Sequence, residues 1–388
     1  MRVAPDLEVP AAAPPPEPTI IRNGALDPAR WTFAVMADNQ FVAASPDSVE
    51  VQLTRQALRQ IRAAGPDFLI INGDFVDVSL PENYDFARRL LAEELGYPDT
   101  PFPVIYIPGN HEREPITSGS LDNFIAAGLG PTRTTFDHKG VRFILLDSSN
   151  GFLRSDFAQL PWLEALLRDA ESNPAIEHVA VFSHYPTNDP LPTDNSQLGD
   201  RLEAELVERW LTAFRERSGK GVAYVAGHAH IAGYERVDGV PYLVLPSAGK
   251  VPYGGPENGG FNGWLRFGVW PGATAAEWLR AESLPLLERV TLTMPAELAA
   301  GTSVAVSAIG EQVRGRMIPL RYPATVTWSA SENVFIGSGQ AAELAAKLPH
   351  VIAVFDPDTL TLQTLRPGTL NLAVVANGER AEAMTVIR

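Results

Sequence analysis

The chain has 388 residues, too many for one typical domain, so two domains are the leading expectation. Its 45% hydrophobic and 20% charged residues are ordinary for a soluble globular protein. The formal net charge of -15 argues against a nucleic-acid-binding or anionic-membrane-binding surface, and the absence of cysteine excludes disulfides and zinc-thiolate sites.

The first predicted segment is an extended tether over residues 1–29. It contains a proline-rich stretch, 11–18, which forms neither a helix nor a central strand. Folded structure is therefore expected to begin near Trp31. The chain contains no recognisable secretory signal and no run of about 20 apolar residues, so no membrane span is predicted. A chain that begins in a linker is also compatible with a fragment of a larger protein.

The next predicted unit is an α/β domain over residues 30–278. Apolar runs typical of strands alternate here with helical patterns at 49–64, 83–95, 160–171 and 202–217. Such alternation implies a buried sheet covered by helices.

The last predicted unit is a small β-sandwich over residues 286–388. Short alternating runs at 290–293, 304–306, 324–328, 359–362 and 370–374 are separated by glycine and proline turns, and one segment, 340–348, has a helical pattern. This unit resembles bacterial immunoglobulin-like domains of the second type, through Val326-Thr327-Trp328-Ser329-Ala330-Ser331 and Gly368-Thr369-Leu370.

Five short polar motifs each directly follow an apolar run of strand type. In chain order they are Asp38-Asn39-Gln40, Gly73-Asp74-Phe75-Val76-Asp77, Gly109-Asn110-His111-Glu112, Ser183-His184 and Gly227-His228-Ala229-His230. Polar residues at the ends of neighbouring strands gather at one edge of a sheet. A site that holds two cations needs a shared carboxylate and further oxygen and nitrogen ligands for each ion. These motifs supply such groups.

In order and spacing, the motifs resemble the calcineurin-like metallophosphoesterase family, whose pattern is D-x-H, G-D-x-x-[DN], G-N-H-[DE], a lone His and G-H-x-H. The resemblance implies that the α/β domain is a four-layer α/β/β/α sandwich, followed here by the all-β immunoglobulin-like sandwich. Periodicity alone predicts only an α/β class.

The resemblance also implies two sets of metal ligands that share one carboxylate. The first metal would be bound by Asp38, Asp74 and His230. The second would be bound by Asp74, Asn110, His184 and His228. A hydroxide between the two ions would then be the nucleophile, because cations lower the pKa of water.

His111 would not bind metal in a protein that resembles this family. It would stabilise the charge that builds on the phosphoryl oxygens and would protonate the leaving alkoxide. Such a role contributes about two to four decades in rate.

Gln40 departs from the family pattern, which usually has a second histidine at this position. Its amide oxygen can still bind a cation, but more weakly than imidazole. With Asp38, Gln40, Asp74 and His230 the first site would be rich in oxygen, which favours manganese or iron over zinc, with zinc possible. We therefore expect the first metal to exchange readily.

Each motif also has an ordinary structural explanation when taken alone. Asp38 and Asp74 could form turns, and the two histidines of Gly227-His228-Ala229-His230 could lie on an exposed strand edge. Asp77 is expected to orient a neighbouring ligand or cap a helix rather than bind metal. The joint occurrence of five motifs in family order favours the metal site.

Several residues outside the ligand set have two competing interpretations. Glu112 and Arg113 could contact substrate or could be solvent-facing loop charges. The glycine-rich loop over 254–260, together with Tyr253 and Trp264, could line the substrate pocket or simply connect strands. The remaining histidines are expected to be solvated, namely His138, His178 and His350.

The function predicted from these features is metal-dependent hydrolysis of a phosphate monoester or diester, in a small molecule or a polymer. The immunoglobulin-like unit and the tether favour an extracellular or cell-surface setting. The alternative is a surface-binding or adhesion protein that keeps the fold with a degenerate site marked by Gln40. The presence of His111 disfavours this alternative, because mere binding has no use for it.

Overall fold

Two β-sheets packed face to face form the centre of the N-terminal part of the chain. The computed structural model describes residues 19–27, 30–270 and 272–388. The first eleven strands are β1 (Trp31–Met36), β2 (Leu69–Asn72), β3 (Val104–Ile107), β4 (Thr134–His138), β5 (Val141–Leu145), β6 (His178–Ser183), β7 (Gly221–Ala226), β8 (Gly233–Val237), β9 (Val240–Val244), β10 (Gly263–Val269) and β11 (Leu279–Pro285).

The two sheets are both mixed. The first has the order β11-β10-β1-β2-β3, in which β1, β2 and β3 are parallel and β10 and β11 pair in antiparallel fashion. The second has the order β4-β5-β6-β7-β9-β8, in which β5, β6, β7 and β9 are parallel. The carboxyl ends of parallel strands point the same way, so each sheet presents a row of strand ends at one edge.

Helices cover the outer face of each sheet. They are α1 (Val49–Ala64), α2 (Pro81–Leu95), α3 (Asp122–Ala127), α4 (Gln159–Ser172) and α5 (Arg201–Ser218). Leu58 of α1 and Leu90 of α2 are buried against the first sheet, and Leu163 of α4 and Leu211 of α5 are buried against the second. The layers therefore run helix, sheet, sheet, helix.

An aromatic core fills the space between the two sheets. Phe33 of β1 stacks on Phe267 of β10 with ring centroids 4.8 Å apart, and it meets Phe143 of the opposite sheet edge to face. Side chains of both sheets are fully buried in this layer. The two sheets are therefore held as one body by apolar burial, which fixes their edges relative to each other.

The C-terminal part of the chain is rich in β-structure. Its strands are β12 (Arg289–Thr293), β13 (Glu297–Leu298), β14 (Ser303–Ala305), β15 (Ser307–Gln312), β16 (Arg316–Pro319), β17 (Thr327–Ala330), β18 (Val334–Ile336), β19 (Ala353–Asp356), β20 (Thr361–Thr364), β21 (Gly368–Ala376) and β22 (Glu379–Ile387), with one helix, α6 (Gly339–Ala345). They form three hydrogen-bonded sheets, β12-β15-β16, β13-β22-β21-β17 and β14-β20-β19-β18. The immunoglobulin-like assignment of this region stays a prediction.

Ordered contacts begin earlier in the chain than the sequence indicated. Ile20 is buried and pairs with Ala281 of β11, and the backbone N–H of Gly24 donates to the carbonyl of Val326 at 2.9 Å. The expectation that folded structure begins near Trp31 is therefore wrong for residues 19–27, which pack on both parts of the chain. Residues 1–18, 28 and 29 of the predicted tether lie outside the described residues.

The helices of the described residues are all too short or too polar to cross a membrane.

Candidate metal centre

The five polar motifs lie at the carboxyl ends of strands from both sheets. Asp38 follows β1, Asp74 follows β2 and Asn110 follows β3, all in the first sheet. His184 follows β6 and His228 follows β7 in the second. Because the sheets pack face to face, these strand ends meet at one edge of the sandwich.

Five of these site residues share an unusual backbone conformation. They have left-handed φ angles between 48° and 67°, and they are Asp38, Gln40, Asp74, His228 and His230. Non-glycine residues adopt this region uncommonly, and such strain persists where the surrounding structure imposes it, often at functional sites. Gln40 belongs to this set although its residue type departs from the family pattern.

The carboxylates and imidazoles of the motifs are in direct proximity. His184 Nε2 lies 3.2 Å from Asp74 Oδ2, and His230 Nε2 lies 3.4 Å from Asp38 Oδ1. His184 Nε2 also lies 3.9 Å from Asp38 Oδ1. Ligand atoms of Asp74, His184 and His228 all fall within 4.8 Å of one another and form a possible metal site.

Second hydrogen bonds orient two of the imidazole rings. His184 Nδ1 donates to the carbonyl of Asn72 at 2.9 Å, and His230 Nδ1 donates to the carbonyl of Val251 at 3.1 Å. Each bond places a proton on Nδ1 and turns Nε2 towards the carboxylates. This is the usual arrangement of histidines that bind metal.

The two amide side chains also face the cluster. Asn110 Oδ1 lies 3.3 Å from His184 Nε2, and Gln40 Nε2 donates to Asp74 Oδ2 at 3.1 Å. Gln40 Oε1 is buried without a hydrogen-bond partner among the described residues. A buried, unpartnered oxygen on an amide that contacts the Asp74 carboxylate suits a cation, so the residues present fit a metal site made of oxygen and nitrogen donors.

Two glycines of the motifs are required by close packing. A Cβ on Gly109 would lie 2.2 Å from Asp74 Oδ1, and one on Gly73, whose φ is +90°, would lie 2.4 Å from His184 Nδ1. Any larger residue would therefore push a site residue out of place.

The buried carboxylate of Asp74 stays ionised only because positively charged groups lie beside it. Burial opposes ionisation of Asp74, but the nearby His184, His111 and His228 outweigh it and hold its pKa well below the ordinary value. Burial likewise opposes charge on His184, but Asp74 and Asp38 raise its pKa to about 10. Burial and the charge of His184 lower the pKa of His228. A bound cation would replace the proton as the partner of these carboxylates.

His111 lies beside the cluster and is partly accessible, with its side chain 20% exposed. Its backbone N–H donates to Asp74 Oδ1 at 2.9 Å, and its Nε2 lies 3.9 Å from Asp74 Oδ2. Its Nδ1 donates to the carbonyl of Asp77 at 2.6 Å. The carboxylate of Asp77 accepts a hydrogen bond from Lys250 Nζ at 2.8 Å. Asp77 therefore contacts His111 through its backbone and pairs with Lys250 through its side chain, rather than joining the carboxylates of the cluster.

Glu112 is neither a substrate contact nor a solvent-facing charge. It is fully buried, and its carboxylate accepts backbone N–H groups from Asp74 at 2.8 Å, Phe75 at 2.9 Å and Gly109 at 2.6 Å. It also accepts from the hydroxyl of Tyr106. Glu112 therefore fixes the loops that carry Asp74 and Asn110. The G-N-H-E spacing placed it near the site, but its inward orientation had no signal in the sequence.

Arg113 is likewise turned into the protein. Its side chain is largely buried and donates to Ser149 Oγ and to the carbonyl of Gly119, both at 2.7 Å. The expectation of a solvent-facing charge is wrong for this residue too.

Two tyrosines stack on the two histidines of the last motif, Gly227-His228-Ala229-His230. Tyr253, which is 57% exposed, stacks on His230 with ring centroids 4.1 Å apart. Tyr185 stacks on His228 at 3.7 Å and was not singled out from the sequence. Trp264, by contrast, is buried and donates to Gln60 Oε1, so it does not line the site.

The histidines outside the motifs differ from expectation in two of three cases. His138 is half-buried, and its Nε2 lies 2.7 Å from Asp67 Oδ2. His178 is buried, accepts the N–H of Gly221 at 2.9 Å and stacks on Trp278. Burial lowers the pKa of His178 to about 4. His350 is exposed, as predicted.

Comparison with known proteins identifies the family. The family model described as calcineurin-like phosphoesterase matches residues 32–232, more than half of the chain. The chain therefore belongs to the calcineurin-like phosphoesterase family, which is metal-dependent.

Similar curated proteins are phosphodiesterases by name. A glycerophosphodiester phosphodiesterase of Enterobacter lignolyticus is 32% identical over 197 residues, which are 48% of this chain and 65% of that protein. A probable cyclic nucleotide phosphodiesterase of Fibrobacter succinogenes is 29% identical over 120 residues, 31% of this chain and 42% of that protein. The matched segments thus span less than two thirds of these relatives.

Among solved structures, a dimetal phosphatase of Danio rerio aligns with 65% of this chain and 98% of its own, at 17% identity and a TM-score of 0.45.

Proposed function

We propose that this protein hydrolyses phosphate diesters with two metal ions bound at the edge of the sheet sandwich. One observation carries the proposal. Carboxylates, amides and imidazoles from five separate strand ends converge on one buried point, and five of them hold a strained left-handed backbone. Such strain and burial are hard to account for by folding alone.

The ligand sets proposed are those implied by the family resemblance. Asp38, Gln40, Asp74 and His230 would hold the first ion. Asp74, Asn110, His184 and His228 would hold the second. The contacts of Asp74 support its role as the shared ligand, because its carboxylate lies near His184 and Gln40. The donor set contains no sulfur and is rich in oxygen, which favours manganese or iron.

The bound ions would lower the pKa of water and offset the negative charge of the ester. The contribution of His111 comes from its position. Its backbone is tied to Asp74 and its Nδ1 to Asp77, which leaves Nε2 on the accessible side of the cluster. There it can stabilise a phosphoryl oxygen and donate a proton to the leaving alkoxide.

A diester substrate is proposed over a monoester. Both curated relatives described above carry phosphodiesterase names. The pocket walls, rather than the metal ligands, decide between the two substrate classes.

The test is reconstitution of metal-depleted protein with Mn²⁺, Fe²⁺ or Zn²⁺, followed by elemental analysis and assays on p-nitrophenyl phosphate and bis(p-nitrophenyl) phosphate. Two bound ions with faster turnover of the diester support the proposal. Bound metal without turnover of either ester would favour the binding or adhesion alternative. Failure to bind metal would refute the site. The extracellular or cell-surface setting remains a separate hypothesis, which fractionation of the producing cells would test.

A further inference from the structure

The glycine-rich loop over residues 250–262 forms one wall of the candidate metal centre. The carbonyl of Val251 accepts the Nδ1 proton of His230, and the ring of Tyr253 lies flat against the same imidazole. Tyr253 remains 57% exposed, so its outer face is open to a bound molecule. The conformation of this loop therefore affects both the orientation of the His230 ring and the exposed surface that Tyr253 presents beside it.

Arg316 of β16, in the C-terminal region, ties together the two ends of the glycine-rich stretch 254–260 within this loop. Its guanidinium donates to the carbonyl of Gly260 through Nε at 3.1 Å and Nη2 at 2.5 Å, and to the carbonyl of Gly254 at 3.2 Å. The planar guanidinium carries several donors in a fixed geometry, which suits simultaneous hydrogen bonds to two carbonyls.

Gln312 of β15 makes a second, fully buried connection. Its Nε2 donates to the carbonyl of Asn262 at 2.7 Å, and its Oε1 accepts the N–H of Asn262 at 3.0 Å. Asn262 Nδ2 in turn donates to the carbonyl of Lys250 at 2.7 Å and to that of Ser247. Ser247 Oγ donates to the carbonyl of Asp38 at 2.8 Å. A hydrogen-bonded path thus runs from the C-terminal region to a proposed metal ligand.

Apolar packing joins the same parts. Phe261 of the loop and Ala232, two residues after His230, are buried in the core of the C-terminal region with Ile318 and Leu320. The N–H of Ala232 donates to the carbonyl of Gly259 at 2.9 Å. The loop is therefore held between the His230 segment and the C-terminal region rather than projecting freely.

We propose that the C-terminal β-rich region is part of the active site, and that Arg316 and Gln312 are positioning residues which set the pose of Tyr253 and thereby the binding of substrate. The inference rests on the proposed function for its catalytic consequence, but not for the structural coupling itself.

The test compares Arg316→Ala and Arg316→Lys with a matched control, Arg366→Ala. Arg366 also lies in the C-terminal region and also donates to two backbone carbonyls, those of Val351 and Ala346, but neither belongs to the loop. Hydrogen–deuterium exchange of the backbone over residues 250–262 is measured together with KM and kcat for bis(p-nitrophenyl) phosphate. In Arg316→Ala, hydrogen–deuterium exchange of the loop should be about tenfold faster and KM about tenfold higher, because charge-assisted hydrogen bonds are lost. The value of kcat should change less. Arg316→Lys should give intermediate values.

The control separates positioning from general stability. Arg366→Ala should lower the melting temperature without changing loop exchange or KM. If Arg316→Ala behaves like Arg366→Ala in both measurements, the proposal is wrong. If Arg316→Ala does not yield folded protein, Gln312→Met takes its place with the same expected direction of change, because it removes the donor to the carbonyls of Asn262 and Leu286 without burying a charge. Exchange requires no turnover, so faster loop exchange in a protein that hydrolyses no ester would refute the proposed function alone.

Discussion

The carboxylate of Glu112 accepts the backbone N–H of Asp74 at 2.8 Å, deep inside the protein. The same carboxylate also accepts the N–H of Gly109, so one side chain fixes the turns after β2 and β3. Glu112 therefore helps to set the position of the turn that carries Asp74.

Glu112→Gln is expected to weaken metal retention. The substitution turns an amide NH₂ towards backbone donors, so the free energy of unfolding should fall by about 1–3 kcal/mol and the Asp74 turn should loosen. Glu203→Gln is the matched control, because Glu203 is also buried and accepts the N–H of Leu153 at 2.8 Å, but lies on α5. Urea unfolding and metal content after dialysis give the two measurements. Equal metal loss in both variants would show that Glu112 acts only through stability.

Asp74→Ala should abolish binding of both ions and with it all turnover, because the shared carboxylate is lost. The control is Asp67→Ala, which removes a carboxylate at the opposite, amino end of β2. Elemental analysis of dialysed protein measures the outcome. Full metal content in Asp74→Ala would contradict the bridging assignment.

His111→Ala should keep both ions but slow turnover by about two to four decades, because it removes the proposed proton donor. His350→Ala replaces an exposed histidine and should leave kcat unchanged. Steady-state kinetics and metal analysis on the same samples are needed. A kcat for His111→Ala within a few-fold of the unsubstituted protein would exclude the acid role.

Gln40→His should hold the first metal more tightly, since imidazole is a stronger ligand than an amide oxygen. The side chain at this position already faces Asp74, since Gln40 Nε2 donates to Asp74 Oδ2 at 3.1 Å. Metal retention through extended dialysis is compared between the two proteins. Identical retention would count against a weak first site.

His178→Asn should reduce the sensitivity of the fold to acid. Burial lowers the pKa of His178 to about 4, so the unfolded chain takes up this proton more readily than the folded protein. The contribution of neutral His178 to the free energy of unfolding is fully present above about pH 6.5. It is lost as the pH falls towards 4, and the loss reaches about 3 kcal/mol. Asparagine can accept the N–H of Gly221 but does not titrate. In urea unfolding between pH 7 and 4, the free energy of unfolding should fall less steeply with decreasing pH in the variant than in the unsubstituted protein. The same pH dependence in both proteins would contradict the role given to His178.

Local patterns were enough for much of the fold. The prediction of a helix over 49–64 agrees with α1 at both ends, because Ser48 caps its start and Gly65 ends it with a left-handed φ of 59°. The strands before the five motifs were also predicted from their apolar runs, which in β2, β6 and β7 are buried along the whole strand. The order of the motifs then predicted which residues meet.

The orientation of side chains in loops was not predictable in the same way. Glu112, Arg113 and His178 look like surface residues in sequence, yet each is turned inward by partners distant in the chain. Residues 19–27 have no periodic pattern, and their order comes from pairing with β11 and with Val326.

The sequence by itself determined the class of the fold, the five motifs and the chemistry of their donors, because these depend on residue type and on short-range spacing. Only the tertiary structure decided that Gln40 faces Asp74, that Glu112 supports the site from behind, and that Arg316 holds the loop beside His230. Those relationships arise where separate strand ends and two parts of the chain pack together. Their geometry is set by burial and hydrogen bonding between residues far apart in the chain.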